Sequence, residues 1–182
     1  MNVLKLGLIA IVLFMVSCKV VQEESNNTTG IKSFRIADGS ISGWVDQPSG
    51  YKEFNPSNMF DLVNGLATFY ITGGLVEGIQ QTMVSPNGNL NIWVLEMSTI
   101  TNATQTYTKD KAENIPNAEN LGNYDPAVAT VNKVILGGCK AYAHFENYIF
   151  ILSYTGYADK NKSVTDATLF LETFKSKVDK LN

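Results

Sequence analysis

Cys139-Lys140-Ala141-Tyr142-Ala143-His144-Phe145-Glu146-Asn147-Tyr148-Ile149-Phe150-Ile151-Leu152-Ser153-Tyr154 is the stretch on which the fold turns. Cys139, Ala141, Ala143 and Phe145 alternate with more polar residues, and Tyr148, Phe150, Leu152 and Tyr154 alternate after them. A period of two places each set on one strand face, and the two-residue connection Glu146-Asn147 makes the strands antiparallel neighbours. Small side chains then stand opposite large ones, as a close-packed sheet face requires. Cys139 sits inside this apolar set and is expected to be a buried, inert thiol rather than a nucleophile.

A second hairpin is expected from residues 76–84 and 90–97 around Pro86-Asn87-Gly88-Asn89. Trp93 and Leu95 alternate with Ile92 and Val94, so the second strand is apolar on both faces and belongs inside the sheet. Shorter strands are expected at 33–36 and 41–45, with Trp44 plugging one end of a core, and another at 127–136. Residues 55–74 predict one buried helix. Asn55 before Pro56 offers a cap with proline at the first turn, Ser57 is the competing cap, and Gly73-Gly74 supply the stop. Met59, Val63, Leu66 and Tyr70 recur at spacings of 4, 3 and 4, and Phe60, Ala67 and Ile71 widen that face. Gly65 inside it costs ~1 kcal/mol relative to alanine, which points to a backbone or ligand approaching there. A weaker helix capped by Thr101 is expected at 101–112. An amphipathic one is expected at 163–181, where Ala167, Phe170, Phe174, Val178 and Leu181 share a face and Lys175, Lys177 and Lys180 suit the dipole. Sequential hairpins with helices between them predict an α+β fold, mainly antiparallel sheet with helices packed on it, in one domain.

Val63-Asn64-Gly65-Leu66-Ala67-Thr68-Phe69-Tyr70 resembles the Ile-Asn-Gly-Ala-Ala-Glu-x-Tyr helix motif of an uncharacterised bacterial family, a domain of unknown function found in lipoproteins and envelope proteins. Trp44, Glu96-Met97, Ala103 and Tyr107 extend the resemblance over residues 40 to 155. Thr68 stands where that family has glutamate, so no role of that glutamate carries over. The resemblance implies a fold and an envelope location more than an activity. The closing strand and helix are also loosely similar to the α/β/α sandwich of small lumenal photosystem accessory proteins.

The 182 residues are 45% hydrophobic and 17% charged, enough for one core. The formal charge is −3, or −4 without Lys5, and Arg35 is the sole arginine, which disfavours nucleic-acid and phosphate recognition. Residues 1–17 read as a leader: Lys5 supplies a positive start, residues 6–15 are apolar but short of the ~20 residues a span takes, and Met15-Val16-Ser17-Cys18 resembles a lipobox. The competing reading is an ordinary secretory signal with an incidental cysteine. In the lipobox reading Cys18 becomes the acylated first residue, palmitate or a similar chain among its substituents, and more than one chain holds the protein stably on a membrane. Residues 18–31 are expected to be a flexible tether and 32–182 the globular domain. Acylation of Cys18 would leave Cys139 without an intramolecular disulfide partner.

The chemistry of the chain leans away from catalysis. His144 is the sole histidine, so the usual multi-imidazole zinc site is not available within one chain, and no cofactor is implied. No Gly-x-Ser-x-Gly or Ser-x-x-Lys context and no phosphate loop occurs. His144 is expected on a surface or interface, Asp61, Glu77 and Glu96 are carboxylates that no spacing forces together, and the loop 113–126 is the expected rim of any site. Two classes remain. One is a membrane-anchored envelope lipoprotein, on the outer membrane by expectation, that binds an envelope protein or small ligand. The other is an envelope enzyme with a site near Asn64. Trp44, Asn64, Gly65 and Tyr70 are the candidate binding residues, with Asp61 as the carboxylate of the enzymatic reading.

Overall fold

An eight-stranded antiparallel sheet forms the middle layer of the molecule. The structure is a computed structural model and describes residues 30–63, 65–132 and 137–181. The strands are β1 (Val45–Asp46), β2 (Lys52–Phe54), β3 (Leu75–Ser85), β4 (Gly88–Met97), β5 (Glu119–Asn120), β6 (Ala129–Asn132), β7 (Lys140–Phe145) and β8 (Tyr148–Thr155). The helices are α1 (Leu66–Thr72), α2 (Ile100–Asn114) and α3 (Lys160–Val178). The sheet runs β1-β3-β4-β8-β7-β6-β5, with β2 sharing the outer edge of β3 beside β1. Two hairpins joined through β4 and β8 make its centre. Both have two-residue turns, Glu146-Asn147 as read from the sequence and Pro86-Asn87 within the longer connection expected, and β4 is interior. The chain is a single α+β domain, as the strand and helix order predicted.

Period-two alternation splits the core between the sheet's two faces. One face packs Ile79, Met83, Leu90, Ile92, Val94, Ala141, Ala143, Phe150, Leu152 and Tyr154 against α3 and the segment Ile31–Trp44. Ala141 lies opposite Leu152 and Ala143 opposite Phe150, the expected small-against-large register. The alanines leave room over β7, and α3 fills this side with aromatic rings. Phe174 stacks on Phe150 at 5.0 Å, and Phe170 meets Trp44 edge-on at 5.2 Å. The other face packs Leu95, Met97, Tyr142, Ile149 and Ile151 against α1 and α2. Cys139 is buried on the α3 side, as its place in the alternation predicted.

The expected helix over 55–74 is not one helix. Asn55 does act as a local cap, its Oδ1 accepting from the Ser57 N–H at 2.8 Å, but only one turn follows before a 3-10 turn at Met59–Asp61. Gly65 then takes φ +84°, and α1 begins after it. That left-handed residue destroys the 3.6-residue period: Met59 and Tyr70 are buried while Phe60 and Leu66 point to solvent. A Cβ on Gly65 would meet nothing within 4 Å, so the glycine serves its backbone angle and not a close approach. Gly74 at φ +93° ends α1, as expected.

Other expectations shift for local reasons. Of residues 33–36, Ser33 and Phe34 lie in a 3-10 helix (Gly30–Phe34) and the other two are irregular, and of 41–45 only Val45 is in a strand. Their apolar side chains are buried through irregular backbone, so apolar spacing alone mimicked strands. Ile31 belongs to the core, which carries the folded unit to at least Gly30, inside the expected tether. Thr99, not Thr101, caps α2 by accepting from the Asn102 N–H at 3.0 Å. α3 starts earlier, capped by Asp159, and Leu181 lies beyond its end, exposed. Residues 133–136 of the expected strand lie outside the described residues. The loop 113–126 is pinned by buried Ile115 and Leu121 and contributes β5.

Gly78 sits where β2 crosses β3, directly opposite Phe54. A Cβ there would overlap the Phe54 ring and stand 2.8 Å from the Val94 carbonyl oxygen. Gly78→Ala is therefore expected to cost about 1–3 kcal/mol in urea unfolding, the usual range for overpacking. An unchanged midpoint would show that Phe54 and β2 yield freely.

Candidate functional site

The edge of the sheet at β1 and β2 carries a cleft of about 650 Å³ between the segment 32–38, Asp46, Tyr51, Glu53 and the end of α3. It is built outward from one buried amide. Gln81 occupies a core-facing position on β3 between Ile79 and Met83 and is 0% exposed. Its Oε1 accepts from the Ile36 N–H at 2.9 Å, and its Nε2 donates to the Ile36 carbonyl at 2.7 Å and to Asp46 Oδ1 at 3.0 Å. The side chain thus ties the 35–38 segment to the α3-side face of the sheet.

From Asp46 the chain of contacts reaches the surface. Arg35 Nη2 donates to Asp46 Oδ2 at 2.6 Å, and the Arg35 guanidinium lies 4.4 Å from the centre of the Tyr51 ring. The hydrogen bond to Asp46 raises the guanidinium's affinity for its proton. Asp38 Oδ1 accepts the Asp46 N–H. Lys32 pairs with Glu53 at 2.8 Å, which holds the Glu53 carboxyl below its ordinary value, and Tyr51 donates to the same carboxylate at 3.2 Å. Burial, with Glu53 adding to it, pushes the Tyr51 phenol up to about 12. Lys177 of α3 donates to the Ser33 and Arg35 carbonyls at 2.6 and 2.9 Å, and burial lowers its proton affinity. Arg35, Lys32 and Glu53 remain 42, 52 and 45% exposed at the side chain, so the charged rim is ordered yet open.

The residues singled out from the sequence fall elsewhere. Trp44 is buried in the α3-side core, and Tyr70 is buried in the core of the opposite face. The sheet separates them, so they cannot share a site. Gly65 lies on the side of Tyr70, next to Asn64, which is outside the described residues, as is Cys18. Asp61 is exposed in its 3-10 turn. Glu77 and Glu96 do come together, directly opposite across β3 and β4. Burial, and next to it Glu77, raises the Glu96 carboxyl. The loop 113–126 does not line the cleft.

Tyr70 has a structural duty. Its hydroxyl donates to Asp110 Oδ2 of α2 at 2.6 Å, and Asn114 Nδ2 donates to the other carboxylate oxygen. Burial raises Asp110 and drives the Tyr70 phenol far up, so Tyr70 stays a donor and the pair clamps α1 to α2. His144 is half-buried under α2, its ring 4.9 Å from that of Tyr107. Its Nε2–H donates to the Ala127 carbonyl at 3.1 Å, the tautomer a carbonyl acceptor requires, and burial disfavours its protonation. Its strand face is thus covered, not open as its polar neighbours suggested.

Among the described residues no three His, Cys, Asp or Glu side chains stand close enough to hold a metal ion. None of the described helices is long and apolar enough to cross a membrane. Comparison with protein-family models, curated proteins and solved structures finds no match to this chain.

Gln81→Leu keeps the volume of the side chain and strands the Ile36 N–H, the Ile36 carbonyl and Asp46. It is expected to lose about 3 kcal/mol in urea unfolding, given 1–3 kcal/mol for each buried group left unpaired; a loss under about 1 kcal/mol would contradict the bridging role. Asp110 gives a pH signature. Its folded carboxyl holds a proton more tightly than the unfolded one. Its contribution is therefore greatest below the ordinary carboxylate value of 3.8 and is lost as pH rises through the folded value. The stability of Asp110→Asn relative to the parent should climb between pH 4 and 7, and a flat difference would refute this.

Proposed function

We propose that this protein is a lipid-anchored lipoprotein of the bacterial envelope that works as a binding module, with the Arg35–Asp46–Tyr51 cleft as its recognition surface. The observation carrying the reading is the cleft's construction. A fully buried amide fixes its backbone and its central carboxylate from behind, while rim donors and acceptors stay accessible. Side chains already held in place lose little entropy when a ligand arrives, which favours recognition. The lipobox-like Met15-Val16-Ser17-Cys18 supports the anchor, and the envelope-family resemblance of residues 63–70 agrees with it. The enzymatic reading at Asn64 loses support from two of its residues, since Tyr70 is committed to Asp110 and Trp44 lies across the sheet.

The anchor is tested by growing the source cell, or a bacterial host, with a labelled fatty acid. The full chain should take up label and float with membranes, whereas Cys18→Ala should take up none and shift to the soluble fraction. Label retained in Cys18→Ala, or absent from the parent, would overturn the lipoprotein reading. Native mass spectrometry of the parent recovered from envelope extract then shows whether a small mass or a protein mass travels with it.

A further inference from the structure

Resting on the binding-module reading, we propose that the cleft at the β1 and β2 edge takes a neutral oligosaccharide. Among the described residues its lining holds three cations, Lys32, Arg35 and Lys177, and three carboxylates, Asp38, Asp46 and Glu53. The charges balance, and the close pairs at 2.6 and 2.8 Å are already made inside the protein. An anion or a zwitterion that takes Lys32, Arg35, Asp46 or Glu53 as its charged partner competes with those pairs. A neutral polyhydroxyl ligand has no such cost, because it adds to hydrogen-bonding capacity that the pairs leave over.

That capacity is specific. Each carboxylate oxygen has two lone-pair directions, and a guanidinium has five N–H donors. Among the described residues, Glu53 accepts once at each oxygen, from Tyr51 and Lys32, and Arg35 makes one side-chain hydrogen bond, to Asp46. Lys177 directs two of its three N–H bonds to carbonyls. Sugar hydroxyls both donate and accept, so one ring can donate to Glu53 or Asp38 and accept from Arg35 or Lys177. The Tyr51 ring, one face covered by the guanidinium 4.4 Å from its centre, adds partly apolar surface to the cleft. The cleft volume of about 650 Å³ lies within the range of small-ligand sites.

A second hollow of about 320 Å³ shares Glu53 with the cleft and is lined by Asn55, Asn58 and Glu77. Its amides and carboxylate offer the same mixture of donors and acceptors, with no cation of its own. Glu53 thus stands between two adjacent polar hollows, which suits a chain of sugar rings better than a single one.

The sole arginine makes the test direct, since its Nε–H gives one cross-peak in a nitrogen-proton spectrum. The full-length chain, purified in detergent with its native amino terminus, is titrated with neutral trisaccharides (N-acetylglucosamine trimer, cellotriose, maltotriose and mannotriose), and in parallel with diglycine and inorganic phosphate. At least one trisaccharide is expected to move the Arg35 signal saturably. The affinity should hold within about twofold when sodium chloride rises from about 0.05 to 0.5 M, since balanced charge leaves little to screen. Glu53→Gln, a rim change that spares the core, should weaken binding about tenfold, the ratio for loss of a charge-assisted hydrogen bond; Tyr51→Ala should do the same where it folds. A silent Arg35 signal across the panel, or a salt-sensitive shift by phosphate or diglycine alone, overturns the sugar ligand. Either result leaves the lipoprotein reading to be judged by acylation of Cys18, which the titration does not touch.

Discussion

The Gln81 amide bridging Ile36 and Asp46 is the constraint on which the functional edge of this molecule depends. A polar side chain in the middle of an apolar strand face is costly unless every group it brings is paired. Here it is paired by acting as a piece of backbone, its oxygen and nitrogen matching the N–H and carbonyl of Ile36. The segment 35–38 can then cross the α3-side face of β3 without being a strand, and its irregular path gives the cleft its wall. Asp46, held by the same amide, is nearly excluded from solvent, so its pairing with Arg35 is stronger than a surface pair and fixes the guanidinium over Tyr51.

Much of the sheet could be read from the sequence because its information is local. The two long hairpins are set by period-two alternation and two-residue turns, both contained in short windows, and the register of Ala141 with Leu152 and Ala143 with Phe150 follows from the turn alone. α3 was legible for the same reason, an unbroken apolar stripe. The failures are also physical. Between 55 and 74 the apolar spacing fits a helix, but Gly65 at φ +84° resets the helical phase, and residue spacing cannot report a backbone angle. At 33–45 buried apolar residues are held by a side-chain hydrogen bond from β3, a partner 45 residues away.

The cleft was the least legible part, since it is made of separations that no window contains. Lys177 reaches carbonyls 144 and 142 residues distant, and in the sequence it reads only as a helix-terminal lysine. Two signals did exist. Gln81 interrupts the core alternation Ile79, Gln81, Met83, and an unexplained amide at a core position marks a buried polar partner. Arg35 is the sole arginine, and a planar, always-charged group used once in a chain points to a geometric duty. The four residues first singled out were chosen for their place in a helix motif and for aromatic character, and the aromatic ones, Trp44 and Tyr70, prove to be core.

The two faces of the sheet differ in how they are held, and this bears on where recognition can occur. On the α3 side Phe34, Phe150 and Phe174 form one aromatic cluster with centroids 5.0–6.3 Å apart, and Trp44 and Phe170 meet at 5.2 Å in a second. Close-packed rings resist displacement, because any shift opens voids on several sides at once. On the α1 and α2 side a seven-residue helix is held by the packing of Ala67 and Tyr70 and by the hydrogen bond of one buried phenol to one buried carboxylate, a clamp whose strength varies with protonation. The cleft lies on the first side. Its wall at residues 35–38 adjoins the buried Ile36, and Lys177 of α3 lines its far side. The six charged groups of the recognition surface keep their mutual geometry only while α3 holds its place, because a small tilt of α3 would pull Lys177 from its carbonyls and loosen the wall at Arg35.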